Sequence, residues 1–60
     1  MKKITFKDTV DALNATGMEW KCTPETEATY GVIKFLLSDR IEFTMVFDHE
    51  ILVDQYCKSI

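Results

Sequence analysis

The chain has little of what marks a membrane, secreted or nucleic-acid-binding protein. Its 60 residues include two glycines, one proline, two cysteines and one histidine. So few Gly and Pro, with 47% hydrophobic residues, exclude a low-complexity or disordered chain. No apolar run is long enough to span a membrane, and Met1-Lys2-Lys3 is not followed by the apolar core of a signal peptide. We therefore expect a cytoplasmic protein without membrane contact.

Basic residues are also scarce. Residues 1–21 hold four Lys against three acids, a balance of +1, and residues 22–60 hold three Lys or Arg against seven acids, a balance of −4. Phosphate backbones are bound by clustered Lys and Arg, and the one cluster is Lys2, Lys3 and Lys7. Nucleic acid is therefore not an expected partner.

Cysteine and histidine are too few to predict a cofactor. Cys22 and Cys57 cannot form a disulfide framework, and we expect free, buried thiols. Together with His49 they show no CxxC or HxxxH spacing, so a zinc site within one chain would lack a fourth ligand of the usual kind. The sequence predicts no metal and no other cofactor.

Two apolar runs surround Ser38-Asp39-Arg40 and predict a β-hairpin. In both runs the large residues recur at odd positions, which is typical of half-buried strands. A three-residue loop at 38–40 would place odd residues opposite odd residues, on one face of the sheet. The predicted pairs are Leu37 with Ile41, Phe35 with Phe43, and Ile33 with Met45.

A helix is predicted before this hairpin. Thr5 and Asp8 form a variant capping box, so the helix should begin at Phe6, and Gly17 suits the left-handed position past its end. Its apolar stripe is Phe6, Val10 and Leu13.

A first strand should follow the helix directly. Met18, Trp20 and Cys22 alternate with polar residues. A four-residue loop at 24–27 would set Trp20 against Gly31, where a bare glycine leaves room for the indole. Trp20 and Gly31 would then lie on the helix side of the sheet. On that side we expect Trp20 and Phe43 to be among the most buried side chains.

The last segment, 51–60, fits two interpretations. As a strand after a loop at 48–50 it pairs odd residues with odd, from Phe47 with Ile51 to Ile41 with Cys57; as a helix it also has an apolar stripe. The strand is favoured because three apolar residues run consecutively. The predicted fold is one α+β domain, residues 1–60, with an N-terminal helix packed on an antiparallel β-meander (α-β-β-β-β; alternative α-β-β-β-α).

The side of this sheet turned away from the helix, the open face, is predicted to be a contact surface. A solvent-facing sheet is usually polar, whereas here Val32 would pair with Val46 and Val46 with Leu52, which gives a row of three aliphatic residues with tyrosines nearby. Ordinary exposed aliphatics are the alternative explanation. The predicted interface residues are Tyr30, Val32, Leu36, Val46, Leu52 and Tyr56.

Acidic residues should gather at one end of the meander, where loops 24–27 and 48–50 meet. This acidic rim comprises Glu25, Glu27, Asp48, His49 and Glu50. It could meet a basic groove or hold a divalent cation weakly, but solvated loop charge is the simpler interpretation. His49 beside Asp48 also permits acid–base chemistry, although no nucleophile or pocket is visible in the sequence.

The order helix, glycine, three strands resembles the small αβββα modules of the HicA-type toxin and double-stranded-RNA-binding kind. The resemblance implies an RNA-directed function. Where such toxins have a glycine and a catalytic histidine on the middle strand, this chain has Gly31-Val32-Ile33 and no histidine, and it lacks their basic surface.

Three functions follow as hypotheses. The favoured one is a small acidic protein-protein interaction module, not an enzyme, acting as a homodimer and serving as an inhibitor or adaptor of the phage or mobile-element kind. The alternatives are the RNA-directed αβββα module and a minor hydrolase using His49. A marginal core in 60 residues favours oligomerisation in any case.

Overall fold

A computed structural model describes residues 3–60 as one helix followed by a four-stranded antiparallel sheet. The helix α1 spans Phe6–Thr16, and the strands are β1 (Trp20–Thr23), β2 (Gly31–Ser38), β3 (Ile41–Asp48) and β4 (Ile51–Ser59). The strand order is β1-β2-β3-β4. The predicted α-β-β-β-β meander is confirmed, and the last segment is a strand. In the part of the chain from residue 3 onward, no helix has the length and apolarity needed to cross a membrane.

The helix begins and ends as its sequence predicts. The Thr5 hydroxyl accepts a hydrogen bond of 3.1 Å from the Asp8 N–H, and Gly17 adopts a left-handed φ of 74°. Leu13 is buried, and Phe6 and Val10 pack against the core. The capped ends and the apolar stripe together orient α1 on one side of the sheet, which we call the helix face.

In the β2–β3 hairpin the side chains lie on the predicted faces, but the turn differs from the predicted one. Phe35 lies opposite Phe43 and Val32 opposite Val46, as expected. The predicted pairing of Leu37 with Ile41 is wrong, because Ser38 takes that place and the register shifts between residues 36 and 38. A two-residue turn plus one bulged residue shifts the pairing as far as a three-residue loop does, so the faces are unchanged.

The β1–β2 pairing has the predicted face and a different register. Trp20 lies opposite Phe35 rather than Gly31, because seven residues rather than four connect the strands. Thr26 and Thr29 close this loop on itself through backbone hydrogen bonds of 3.0 and 3.4 Å. A Cβ on Gly31 would meet Glu25 at 3.5 Å, so this glycine does not make room for the indole.

The β3–β4 pairing differs most from expectation. A two-residue turn, His49–Glu50, has positive φ at both positions, and it places Leu52 opposite Phe47. The register then shifts past Val53, so that Asp54 lies opposite Val46. The predicted placement of Leu52 beside Val46 on the open face is therefore wrong, and Leu52 packs against the core on the helix face.

The core lies under α1, which covers only part of the helix face. Its buried hydrophobic residues are Leu13, Ile33, Met45 and Phe47. The expectation that Trp20 and Phe43 are among the most buried is wrong, since both remain half-buried. At about 1.5 Å per residue α1 is about 16 Å long, whereas β3 at about 3.3 Å per residue is about 26 Å long, so one end of the sheet is left uncovered.

Candidate interaction surfaces

The acidic rim forms through a contact between its two loops. The His49 N–H donates a hydrogen bond of 2.8 Å to Glu25 Oε1, which joins the β1–β2 loop to the β3–β4 turn. His49 Nε2 lies 3.7 Å from Asp48 Oδ1, and the side chain of His49 is 90% exposed. The sequence correctly places these loops at the same end of the sheet. In this geometry the Glu25 carboxylate satisfies a turn N–H that has no strand partner.

A shallow hollow of about 710 Å³ opens beside this contact. Glu25, Asp48 and His49 bring ligand atoms within 4.8 Å of one another there. The hollow is lined by Glu25, Thr26, Glu27, Ala28, Thr29, Tyr30, Asp48 and His49. Tyr30 therefore lies with the rim, before β2 begins, and not beside the aliphatic row where the sequence predicts it.

The last member of the rim, Glu50, acts through its backbone. The Glu50 carbonyl accepts a hydrogen bond of 2.8 Å from the Phe6 N–H at the start of α1. One orphan N–H of the helix N-terminus is satisfied in this way, and the turn is fixed to the helix. The rim therefore anchors both the β1–β2 loop and α1, whatever else it does.

The open face is more polar than the sequence predicts. Val32 and Val46 lie opposite each other, as expected, but Asp54 stands next in that row in place of Leu52. Tyr56 lies opposite Thr44, and Leu36 lies opposite Glu42. The predicted row of three aliphatics is thus a pair, with one aromatic residue at the β4 edge.

A second hollow, of about 660 Å³, lies where β2 extends past the start of β1. Lys21 and Lys34 stand directly opposite each other there. Like charges on opposite strand positions repel, and Glu19 and Glu42 around the same hollow supply charge of the opposite sign. The side chains that line the hollow from the open face are Glu19, Lys21, Lys34, Leu36, Glu42 and Ile60.

An apolar groove on the helix face, which the sequence does not reveal, runs along one side of α1. Its volume is about 360 Å³. It exists because the helix is too short and too narrow to cover Phe35 and Met45 fully. It is lined by Ile4, Asp8, Thr9, Ala12, Leu13, Thr16, Met18, Phe35 and Met45.

Both cysteines are free, and both are exposed. Cys22 lies on β1 and Cys57 on β4, with β2 and β3 between them. The prediction of free thiols agrees with this arrangement, whereas the expectation that they are buried is wrong. The reason is that both lie on edge strands, beyond the part of the helix face that α1 covers.

Comparisons with known proteins give no relative from which a function could be transferred. No family model, no curated protein and no solved structure matches this chain. The resemblance to αβββα modules also loses its basis, because the segment after the third strand is a fourth strand.

Proposed function

We propose that this protein is a small interaction module that self-associates and binds another protein through its sheet, acting as an inhibitor or adaptor. The observation that carries the proposal is the apolar surface that folding leaves uncovered. The accessible area is 4792 Å² for a mass of 7.0 kDa. A globular monomer of that mass is expected to expose about 4,000 Å².

The uncovered surface is made of large side chains. Among residues 3–60, eight such hydrophobic residues are between 42% and 71% exposed. They include Leu36 and Tyr56 on the open face, and Leu37, Ile41 and Ile60 near the β2–β3 turn. Large apolar side chains gathered at one end of the sheet, as near the β2–β3 turn, favour a contact site.

A non-enzymatic role is favoured over hydrolysis by His49. General acid–base catalysis needs a site that excludes water and holds a reacting group near the base. The His49 ring is 90% exposed, and the neighbouring hydroxyls of Thr26 and Thr29 are engaged with each other at 2.8 Å. The acidic rim is better suited to the contacts that fix its own loops.

A protein partner is also favoured over RNA. On the open face Lys21 and Lys34 are accompanied by Glu19 and Glu42 around the same hollow. A phosphate backbone needs a continuous row of cations, whereas this mixed surface suits a partner that carries both charges. Retention on immobilised RNA that weakens steeply with salt would contradict the proposal.

The partner-binding part of the proposal is tested by capture from the native host's lysate. Tagged wild type, Val46→Asp and Glu27→Lys are compared by mass spectrometry. A partner of the open face should be retained by Glu27→Lys and lost by Val46→Asp, because the new carboxylate would be desolvated at the contact. Equal capture by all three proteins would remove the open face as the binding surface. Self-association is tested by sedimentation of the wild-type chain over a range of concentrations.

A further inference from the structure

The two edges of the sheet are protected very unequally. β1 is four residues long and is followed by Pro24, which has no backbone N–H, whereas β4 is nine residues long. Residues 4 and 5, just before α1, cover the start of β4, where Thr5 bridges Ile51 and the Leu52 N–H donates to the Ile4 carbonyl at 2.9 Å. From Asp54 to Ser59, no other strand within residues 3–60 lies along the outer side of β4.

The backbone direction along this edge follows from one hydrogen bond. The Ile60 N–H donates to the Arg40 carbonyl at 2.9 Å, so residue 60 directs its backbone groups toward β3. Because this direction alternates along an antiparallel strand, Tyr56 also faces β3, while Gln55 and Cys57 direct their N–H and C=O groups outward. The Gln55 N–H is held at 2.8 Å by the carboxylate of Asp54, the preceding residue.

We propose that β4 pairs antiparallel with β4 of a second copy of this chain, about a two-fold axis at Tyr56, to make one continuous eight-stranded sheet. The inference rests on the self-association in the proposed function and names its surface. In this register Gln55 of each copy faces Cys57 of the other. Each such pair exchanges both backbone hydrogen bonds, since these residues carry the outward-directed groups.

Charge selects this register over its neighbours. With the axis at Tyr56, Asp54 of each copy lies opposite Lys58 of the other, since 54 and 58 are equally distant from 56. An axis at Gln55 would set Asp54 against Tyr56, and an axis at Cys57 would set Lys58 against Tyr56. Neither Asp54 nor Lys58 has an oppositely charged group within 4.0 Å in its own chain, as far as residues 3–60 show. Glu42 lies opposite Lys58 on β3, although no ion pair within 4.0 Å joins them among the described residues. Pairing would therefore bring a cation to Asp54 and place Lys58 between two carboxylates.

The same contact accounts for the exposed tyrosine at the edge. Tyr56 is 49% exposed, and at the axis it would lie beside its own copy on the open face. The Asp54 carboxylate would move from the Gln55 N–H to the Lys58 ammonium, which frees that N–H to donate across the axis. One strand from each copy buries less than the roughly 800 Å² per partner of a stable complex, so the dimer should be reversible and depend on concentration.

Charge reversal tests the register directly. Sedimentation velocity of the full chain from low to high micromolar concentration should show a monomer–dimer equilibrium. Asp54→Lys and Lys58→Asp should each weaken dimerisation by at least about tenfold, because each sets like charges opposite each other twice. The double variant with both changes should dimerise as wild type does. An equimolar mixture of the two single variants should form a heterodimer, which also shows that both variants are folded.

Disulfide trapping gives a second, independent measurement. In a Cys22→Ser/Cys57→Ser background, Tyr56→Cys places one thiol at the axis, where the Cα atoms of a non-hydrogen-bonded pair lie about 4.5 Å apart, within disulfide range. The matched control, Asp54→Cys, places its thiols about 14 Å apart along the same strand. Mild oxidation should therefore crosslink the first variant and not the second.

The possible outcomes separate this inference from the proposed function. If wild type dimerises and the charge variants dimerise equally well, or if Asp54→Cys crosslinks as readily as Tyr56→Cys, the β4 pairing is wrong and self-association uses another surface. Val46→Asp, on the neighbouring strand, should leave the dimer intact. Loss of the dimer in this variant would place the interface on the open face instead. A wild-type chain that stays monomeric throughout would overturn both the pairing and the proposed self-association.

Discussion

Glu25 and His49 are 24 residues apart in the sequence and are joined by a hydrogen bond of 2.8 Å, from the His49 N–H to the Glu25 carboxylate. This contact holds the seven-residue β1–β2 loop against the tight β3–β4 turn. The acidic rim therefore stabilises the fold locally. The contribution to the free energy of unfolding can be measured without a binding partner.

Loss of the Glu25 acceptor should destabilise the fold. Glu25→Ala is expected to lower the free energy of unfolding by about 1 kcal/mol, the usual worth of one hydrogen bond, while Glu25→Gln should keep most of it because the amide oxygen can still accept. Urea denaturation followed by circular dichroism measures the change. Glu27→Ala, in the same loop and without such a contact among the described residues, is the matched control. Equal losses in Glu25→Ala and Glu27→Ala would contradict the assigned role.

The centre of the core should lie at Phe47. Its side chain is fully buried and contacts Phe6 edge-to-face at 5.3 Å between ring centroids. Phe47→Ala should cost about 3 to 5 kcal/mol, which is enough to unfold much of a domain this small. Phe43→Ala should cost less, because that ring is half-buried beside Phe35. The reverse ranking in chemical denaturation would place α1 over the other end of the sheet.

The β3–β4 turn should be improved by glycine. His49 and Glu50 have φ values of 49° and 67°, which a side chain disfavours. Glu50→Gly should raise the free energy of unfolding by roughly 0.5 to 1 kcal/mol. Glycine removes the cost of a left-handed residue with a side chain, and the greater entropy of the unfolded chain offsets part of that gain. Arg40→Gly, in the other two-residue turn and without a positive φ, should stabilise nothing. Thermal denaturation of both variants makes the comparison.

Both thiols should be reactive in the native protein. Cys22 and Cys57 lie on the two outer strands, separated by three strand spacings, or about 14 Å, too far for a disulfide within one chain. Titration with a chromogenic disulfide should count two thiols per chain, with similar rates before and after denaturation. Thiols that react only after unfolding would contradict the exposed positions.

Local sequence is enough to specify the helix, the strands and the two faces of the central hairpin. Thr5, Gly17 and the period of α1 depend on local backbone chemistry, and so does the alternation in β2 and β3. The face on which a side chain lies is a robust prediction, because it changes only when the register shifts by an odd number of residues. For that reason Phe35 meets Phe43 even though the loop length predicted at 38–40 was wrong.

The pairing of β4 with β3 depends on the turn and the bulge that form in the folded chain. The two-residue turn at His49–Glu50 moved Leu52 to the helix face, and the register shift past Val53 returned the rest of β4 to the expected parity. The turn alone would reverse every side chain of β4, and the shift alone would reverse those beyond Val53, so no count of apolar residues could separate them.

The extent of the core and the free edge of β4 were likewise fixed by distant contacts. The Phe6 N–H binds the Glu50 carbonyl, and Thr5 bridges Ile51, which places a short helix over Phe47 and leaves Phe43 half-covered. Within residues 3–60 these contacts end at Leu52, and no strand lies along the outer side of β4 beyond it. Burial and edge exposure depend on where elements meet, and that position is set by pairs of residues about 45 apart in the chain.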